Sequence, residues 1–528
     1  MSEGLPALPD DPAPPRPPPP SNLPAGSHLP SASHPLLLPA ILGAYGLGHI
    51  LIRLLISNGA ELDEAEQLLL SQSFAIGYTD QPPLYTWLLR IVQAFLGVNI
   101  LSLAVLKNLL LFGTYLGLFG AARLVLKNIQ LALLTSVSLW LIPQIAWESY
   151  RDLTHSVLVT SISAGFLAVT LALVRTGRTW HYLVLGLLLG LGALSKHSFL
   201  FFAVALLGAA LLHRDMRRRL LDRRMLLAIG LAGLAVLPHY LWLSGHLHLE
   251  SSPAIGKLAR QGSLPSPAAI AAGLLKLLWA SISFLTPFWL VCLVVFPMAV
   301  WRRGTDATES RRYRELLEHY FLLLGGLLGA AVVFFGVTHF KDRWMQPFLF
   351  LTPLYVFVRV QGGGVTSGRL RVYARLLAAC GLLFLGAPLA QAWVGPWFGV
   401  YSRLHVPFDT LASQLQALGF RQGMIVAENT FLGGNLRLTF PQTRVITPEV
   451  TIGLRVDPRE GGQCLVAWDG AGGRGVPESL QRVLARTLGA HIPAGQAPGY
   501  VEAPLKRSSE RRFRLGVMLF PAGFGDCR

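Results

Sequence analysis

The sequence predicts a polytopic α-helical membrane protein of about eleven transmembrane helices, followed by a small C-terminal α/β soluble domain. Three observations predict it. Hydrophobic residues make up 52% of the 528 residues and charged residues only 14%, where a soluble domain carries nearer a quarter charged. Mean hydropathy is +0.49. Long apolar runs recur from residue 36 onward, and the cations between them fall in short clusters.

The formal net charge is +17 and the isoelectric point is near 10.2. A basic chain can bind nucleic acid, but this one shows no basic face and no recognition motif. Its cations have the pattern of membrane topology instead.

Residues 1–34 are rich in Pro, Ser and Ala, as in DPAPPRPPPP. They lack the charged start, apolar core and cleavage site of a signal peptide. A disordered, partly polyproline cytoplasmic tail is expected.

The membrane region is expected over 35–392. Each crossing needs about 17–25 apolar residues, because lipid cannot satisfy a bare backbone. The runs fall at 36–57, 101–122, 129–147, 156–174, 180–195, 197–212, 225–244, 269–299, 319–338, 344–360 and 372–392. Ser195, Lys196 and His197 interrupt the 180–212 stretch, which reads as two short helices with a hairpin tip.

The loop charges orient these runs. Arg123 and Lys127 share one loop, Arg175 and Arg178 another, and HRDMRRRLLDRR over 213–224 a third. Arg302, Arg303, Arg311, Arg312 and Arg314 follow, then Arg369, Arg371 and Arg375. With the runs counted as above, all of these lie on one side, which the positive-inside rule makes cytoplasmic. The opposite side receives 58–100, 148–155, 195–197, 245–268, 338–343 and everything after 393.

Residues 393–528 are less apolar. Short strand-like runs such as MIVAEN and TRVITPEV alternate with Gly/Pro-rich turns, which reads as a small mixed α/β domain on the non-cytoplasmic side. Cys292 and Cys380 lie in apolar spans and read as small hydrophobes. Cys464 and Cys527 both fall in the C-terminal part, where an oxidising compartment would allow them to pair.

The non-cytoplasmic loops hold the unusual residues. The first carries Glu61, Asp63, Glu64, Glu66 and Asp80. Asp63 and Glu66, three apart, share a face on a helix. The apolar spacing from Glu64 to Phe74 suits a helix lying in the membrane interface. The plain alternative is a solvated acidic loop capping a helix. WESYRDLTHSVLV brings Glu148, Arg151, Asp152 and His155 to the mouth of a span, either as a site or as an Arg–Asp anchor. LSKHSFL places Lys196 between short helices, where it either snorkels or holds a phosphate. VTHFKDRWMQPF places His339, Lys341, Asp342 and Arg343 on the side that the positive-inside trend avoids. Snorkelling or an anionic lipid headgroup accounts for cations there.

Carboxylates at these helix ends can take a proton from an acceptor, and the cations can hold a phosphate leaving group. That combination suits group transfer from a lipid-linked phosphate. No GxxxxGK[ST], no GxGxxG between strand and helix, and no HExxH or CxxC occurs in the sequence, so a nucleotide loop or a familiar zinc motif finds no support.

Leu62-Asp63-Glu64-Ala65, then Tyr78-Thr79-Asp80-Gln81-Pro82-Pro83-Leu84, resembles the GT-C glycosyltransferases, and within them family 39. Asp152 in YRDLTHSVL, Ser195-Lys196 in GALSKHS and Arg343 to Pro347 in RWMQP extend the resemblance over about 36–392. That family includes the protein O-mannosyltransferases, the bacterial aminoarabinose transferases acting on lipid A, and the rhizobial galacturonic-acid transferases.

The resemblance implies a GT-C-like catalytic region in the bacterial inner membrane, with its active site on the periplasmic face. It implies a polyprenyl-phosphate sugar donor and a lipid, glycan or protein acceptor. Asp63 would be the general base of an inverting displacement, with Glu64 beside it, and Asp152 would help form the acceptor or donor site. Asp80, Gln81, Tyr85 and His155 are candidate substrate contacts. Lys196, His339, Lys341 and Arg343 are candidates for the phosphate by charge and placement. One departure stands out: several relatives have Lys directly before Pro-Pro, where this chain has Gln81. No cofactor is fixed by these residues, and a divalent metal ion beside the carboxylates stays open.

Two other functions deserve weight. A transporter or flippase of lipid-linked sugars would also be polytopic, but it would place its charges near the midplane on broken helices. A non-catalytic relative binding the lipid-linked sugar would have no need of Asp63 and Asp152.

Overall fold

The computed structural model describes residues 36–78, 81–246, 265–297, 308–363, 365–450, 462–493 and 495–527. The proline-rich tail and Asp80 lie outside the described residues.

The first crossing is α1 (Leu37–Ile56). A short helix α2 (Leu62–Leu70) follows, then α3 (Leu84–Leu96) and α4 (Ile100–Val125). Asn99 caps α4, its side-chain oxygen accepting the Ser102 N–H at 2.9 Å, which satisfies one of the orphan donors of the first turn. Next come α5 (Ile129–Val137), α6 (His155–Thr176), α7 (Thr179–Ala193) and α8 (Phe199–Leu212). The basic run forms α9 (Arg214–Leu220), followed by α10 (Met225–Ser244). Then come α11 (Pro267–Phe284), α12 (Phe288–Val295), α13 (Thr308–Phe335), α14 (Thr352–Gly363) and α15 (Ser367–Trp393).

Seven of the described helices are long and apolar enough to cross a membrane: α1, α4, α6, α10, α11, α13 and α15. The chain is therefore a multi-pass membrane protein. An eighth crossing forms if Ile129–Leu141 and Gln144–Arg151 count together, although they meet at a 77° bend. Here the structure departs from the straight span expected over 129–147. Pro143 has no N–H to continue the helical ladder, and the chain beyond it winds as a π-helix over Gln144–Glu148. The run expected over 269–299 also divides, at Leu285–Pro287 between α11 and α12. The runs at 180–195, 197–212 and 344–360 give helices of 15, 14 and 12 residues, shorter than a full bilayer crossing needs.

Beyond Trp393 the chain forms a five-stranded sheet with the order β2-β1-β3-β5-β4. Its strands are β1 (Gly423–Ala427), β2 (Arg444–Ile446), β3 (Gln463–Asp469), β4 (Gly499–Pro504) and β5 (Arg512–Phe520). β1 pairs in parallel with β2 and β3, whereas β5 pairs antiparallel with β3 and β4. Parallel neighbours need a crossover, and α17 (Thr430–Thr439) makes it between β1 and β2. The helix α16 (Phe408–Ala417) precedes the sheet and α18 (Glu478–Leu488) follows β3. Cys464 on β3 and Cys527 form a disulfide, their Cα atoms 5.5 Å apart.

The helix α2 lies between these two parts. Ala65 and Leu68 belong to the core of the membrane helices, while Leu69 and Leu70 belong to the core under the sheet. The helix expected to lie in the membrane interface from Glu64 to Phe74 is thus a buried linker. An apolar stripe alone does not say whether lipid or protein will cover it.

Candidate active site

The site starts from α2. Glu61 ends the preceding loop, and its N–H donates to Glu64 Oε2 at 3.1 Å. Asp63 and Glu64 sit in the first turn, where carboxylates favour the positive end of the helix dipole. Successive helical residues turn by about 100°, so the two adjacent carboxylates point different ways.

Glu64 is fully buried and faces the membrane helices. Its Oε2 accepts from Arg53 Nη2 at 2.8 Å and its Oε1 from Lys107 Nζ at 2.8 Å. Arg53 also donates to the Ser57 and Gly59 carbonyls at 2.9 and 2.7 Å. Burial alone would raise the Glu64 carboxyl, but the two cations overcome it and hold it down at about 2. Glu64 thus stays ionised as the centre of a buried triad, away from the cavity. This corrects its expected place among the catalytic groups: it anchors the helix that carries Asp63.

Asp63 faces the other way, and its N–H donates to Asp152 Oδ1 at 2.8 Å. Asp152 is delivered by the bent segment after Pro143 and stands between Arg151 and α6. Burial and the neighbouring Asp152 charge push the Asp63 carboxyl up to about 6, against the pull of Arg343, Lys196 and Lys107. The Asp152 carboxyl is also raised, again by burial, although the Asp63 N–H opposes the shift.

Asp63 and Glu66 share one wall of a cavity of about 150 Å³. Gln81, Leu153, His155 and Ser156 line it further, and Lys196, Arg343 and Trp344 complete it. Lys196 comes from the turn between α7 and α8, and its Nζ donates to Ser156 Oγ at 3.0 Å. Desolvation and the nearby Arg343 lower the Lys196 ammonium to about 8, although Asp63 pulls the other way. Ser156 lies in the first turn of α6, whose positive end thus faces the cavity and favours an anion there.

His155 is fixed from both sides. Its Nε2 lies 3.0 Å from Gln67 Nε2, and its Nδ1 3.3 Å from the Ser195 carbonyl oxygen. An amide nitrogen only donates and a carbonyl only accepts, so the neutral ring carries its proton on Nδ1. Gln67 is fixed in turn by the Thr86 hydroxyl, which donates to its Oε1 at 2.7 Å. Tyr85 is fully buried with its ring 5.5 Å from that of His155, and it backs His155 from outside the cavity lining.

Arg343 is set by a turn in which its own N–H donates to Asp342 Oδ1 at 2.7 Å. Gln144 Nε2 donates to the other Asp342 oxygen at 2.7 Å, tying this turn to the π-helix. Its two neighbours in the sequence cluster are placed otherwise: His339 and Lys341 are exposed and do not line the cavity. Asp342 and Arg343 open a 3-10 turn over Asp342–Met345, whereas His339 and Lys341 precede it, so the four clustered charges do not converge on one point.

Asp63, Gln81, His155, Lys196 and Arg343 therefore converge from five chain segments, with Asp152 behind Asp63. Sequence reasoning did not single out Ser156, Trp344, Arg53 or Lys107. A signal existed for the last two, because Arg53 and Lys107 are ionisable groups inside apolar spans and such groups need a partner. Among the described residues, no three His, Cys, Asp or Glu side chains are grouped to hold a metal ion.

Comparison with known proteins identifies relatives of the chain. Residues 80–242 match the family described as dolichyl-phosphate-mannose-protein mannosyltransferase. The lipopolysaccharide core galacturonosyltransferase RgtA of Rhizobium johnstonii is 35% identical over 439 residues, covering 81% of this chain and 86% of that one. The lipopolysaccharide core galacturonosyltransferase RgtB of the same organism is 32% identical over 461 residues, covering 86% and 92%. The crystal structure of ArnT from Cupriavidus metallidurans bound to undecaprenyl phosphate superposes with a TM-score of 0.62 at 14% identity, covering 93% of this chain and 99% of ArnT. Its apo state gives 0.58 at 14% identity, covering 91% and 97%. These two share the fold. Taken with the relatives above 30% identity, they lead to one conclusion: the chain is a glycosyltransferase and belongs to family 39 of the GT-C superfamily.

Proposed function

We propose that this enzyme transfers galacturonic acid from a polyprenyl-phosphate donor to a sugar hydroxyl of the lipopolysaccharide core, with inversion at the anomeric carbon. The carrying observation is the single cavity in which the Asp63 carboxylate faces the Lys196 ammonium and the Arg343 guanidinium. The names of the two rhizobial relatives support the sugar and the acceptor. The ligand named for the ArnT structure supports the carrier lipid.

Asp63 takes the proton of the acceptor hydroxyl as its oxygen attacks C1 of the donor sugar. The C1–O bond to phosphate breaks, and the electron pair leaves on the phosphate of the carrier. Lys196, Arg343 and the positive end of α6 stabilise that developing charge. A carboxyl raised to about 6 is a stronger base than an exposed aspartate and is still mostly ionised at neutral pH. Asp152 orients Asp63 through its backbone N–H. Gln81 meets the donor as a neutral group, which leaves phosphate binding to Lys196 and Arg343.

The topology follows the same reading. We infer eleven crossings, in which the bent pair and the three short helices also cross where the bilayer thins to match them; the basic loops then lie in the cytoplasm and the cavity on the periplasmic face of the inner membrane. The pairing of Cys464 with Cys527 suits an oxidising compartment. A flippase finds less support, because the charges gather at one end of the helices and not near their middle.

The test is transfer by the purified full chain to lipopolysaccharide core acceptors. Polyprenyl-phosphate galacturonic acid is compared with the mannose and aminoarabinose donors. Product from the galacturonic acid donor alone, with its anomeric configuration inverted, is expected. Equal use of all three donors, or retention of configuration, would overturn the proposal.

A further inference from the structure

The segment that carries Asp63 is gripped by the C-terminal unit as well as by the membrane helices. Asn435 on α17 is fully buried and bonds the Ala60 peptide in both directions. Its Oδ1 accepts the Ala60 N–H at 2.7 Å, and its Nδ2 donates to the Ala60 carbonyl at 3.1 Å. This fixes the peptide just before α2 begins. Gln72, just past the end of α2, repeats the device on the edge strand β2: its Nε2 donates to the Val445 carbonyl and its Oε1 accepts the Val445 N–H, both at 2.8 Å.

Between those two clamps, α17 lies directly on α2. A Cβ placed on Gly434 would stand 2.3 Å from the Ala65 carbonyl oxygen and 2.5 Å from its Cα. Both are backbone atoms, so no side chain can move aside. Leu69 and Leu70 then enter the core under the sheet. Among the described residues, no such link holds the two cations of the cavity, Lys196 on the α7–α8 turn and Arg343 on the turn after α13.

We propose that the C-terminal unit sets the position of the Asp63 carboxylate in the cavity, with Asn435, Gln72 and Gly434 as positioning residues for the transfer reaction. The role rests on the reading of Asp63 as the base. Carrier binding is held by one set of elements and base placement by another, so the two properties separate under mutation.

The experiment uses the full chain with Asn435→Ala, Gln72→Ala and Gly434→Val, each alone and combined with Asp63→Asn. Turnover, KM for the donor and binding of undecaprenyl phosphate are measured on folded protein. Turnover is expected to fall about tenfold for Asn435→Ala and about 100-fold for Gly434→Val, the scale of loss from misplacing a catalytic group by about 1 Å. KM and undecaprenyl phosphate binding are expected to stay within about twofold. In the Asp63→Asn background the same substitutions are expected to change the residual rate by less than about twofold, because coupled residues lose their effects together. Asn435→Asp, which keeps the acceptor for the Ala60 N–H, is expected to recover part of the rate.

Gln72→Ala serves if the buried Asn435 variant fails to fold. The proposal is overturned if turnover and carrier binding fall together, or if the losses persist in the Asp63→Asn background. Full turnover by Asp63→Asn alone would remove the base itself. Loss in Asp63→Asn with full turnover in all three interface variants would spare the base and sink only the positioning role.

Discussion

At the scale of single residues, the proposed mechanism divides two tasks by charge within the cavity. On it, Asp63 must be ionised to accept a proton, and Lys196 must be protonated to hold a phosphate. Burial raises Asp63 to about 6 and desolvation lowers Lys196 to about 8. The rate at low donor concentration is therefore expected to be bell-shaped in pH. It falls below about pH 6 as Asp63 gains its proton, and falls above about pH 8 as Lys196 loses its own. An alkaline limb that persists in Lys196→Arg, which cannot deprotonate in this range, would assign that limb to another group. Removal of either cation is expected to weaken a charge-assisted contact of about 1.5–3 kcal/mol. Lys196→Ala and Arg343→Ala should each lose roughly 10- to 150-fold in kcat/KM, read from initial rates. His339→Ala and Lys341→Ala, whose side chains stay outside the cavity, should change it by less than about twofold.

At the scale of elements, α2 shows what a sequence can and cannot say. The three-residue spacing put Asp63 and Glu66 on one face, and both line the cavity. The neighbouring Glu64 reads as a catalytic partner in sequence, yet one further step around the helix delivers it to Arg53 and Lys107. Those partners lie eleven and forty-three residues away, beyond any local pattern. Breaking a buried ion group strands a charge, at a cost of about 3–5 kcal/mol. Lys107→Met is therefore expected to lower the thermal midpoint by several degrees, measured in detergent. An unchanged midpoint would mean that Arg53 alone suffices for Glu64. The bent segment gives the same lesson. The hydropathy of 129–147 read as one crossing, and only the 77° turn explains how Asp152 reaches Asp63.

At the scale of the whole molecule, the loop arginines and apolar runs were enough to bring Asp63, Asp152, Lys196 and Arg343 to one end of the helices. What they could not show is that the C-terminal sheet grips the helix carrying Asp63, because Asn435 and Ala60 lie 375 residues apart and no period links them. The topology carries its own prediction. Asp409 is exposed beside the sheet and Arg218 is exposed in the basic loop. In intact spheroplasts of a strain expressing the protein, Asp409→Cys should react with a membrane-impermeant maleimide. Arg218→Cys should react only after permeabilisation. The reverse pattern would invert the orientation.

The central claim is that Asp63 accepts the proton of the attacking hydroxyl while Lys196 and Arg343 hold the departing lipid phosphate. Its most direct measurement is the rate of sugar transfer by folded Asp63→Asn against the unaltered chain, at saturating donor and acceptor. The account predicts a loss of about 10²- to 10⁴-fold with undecaprenyl phosphate still bound, and undiminished transfer by that variant would contradict it.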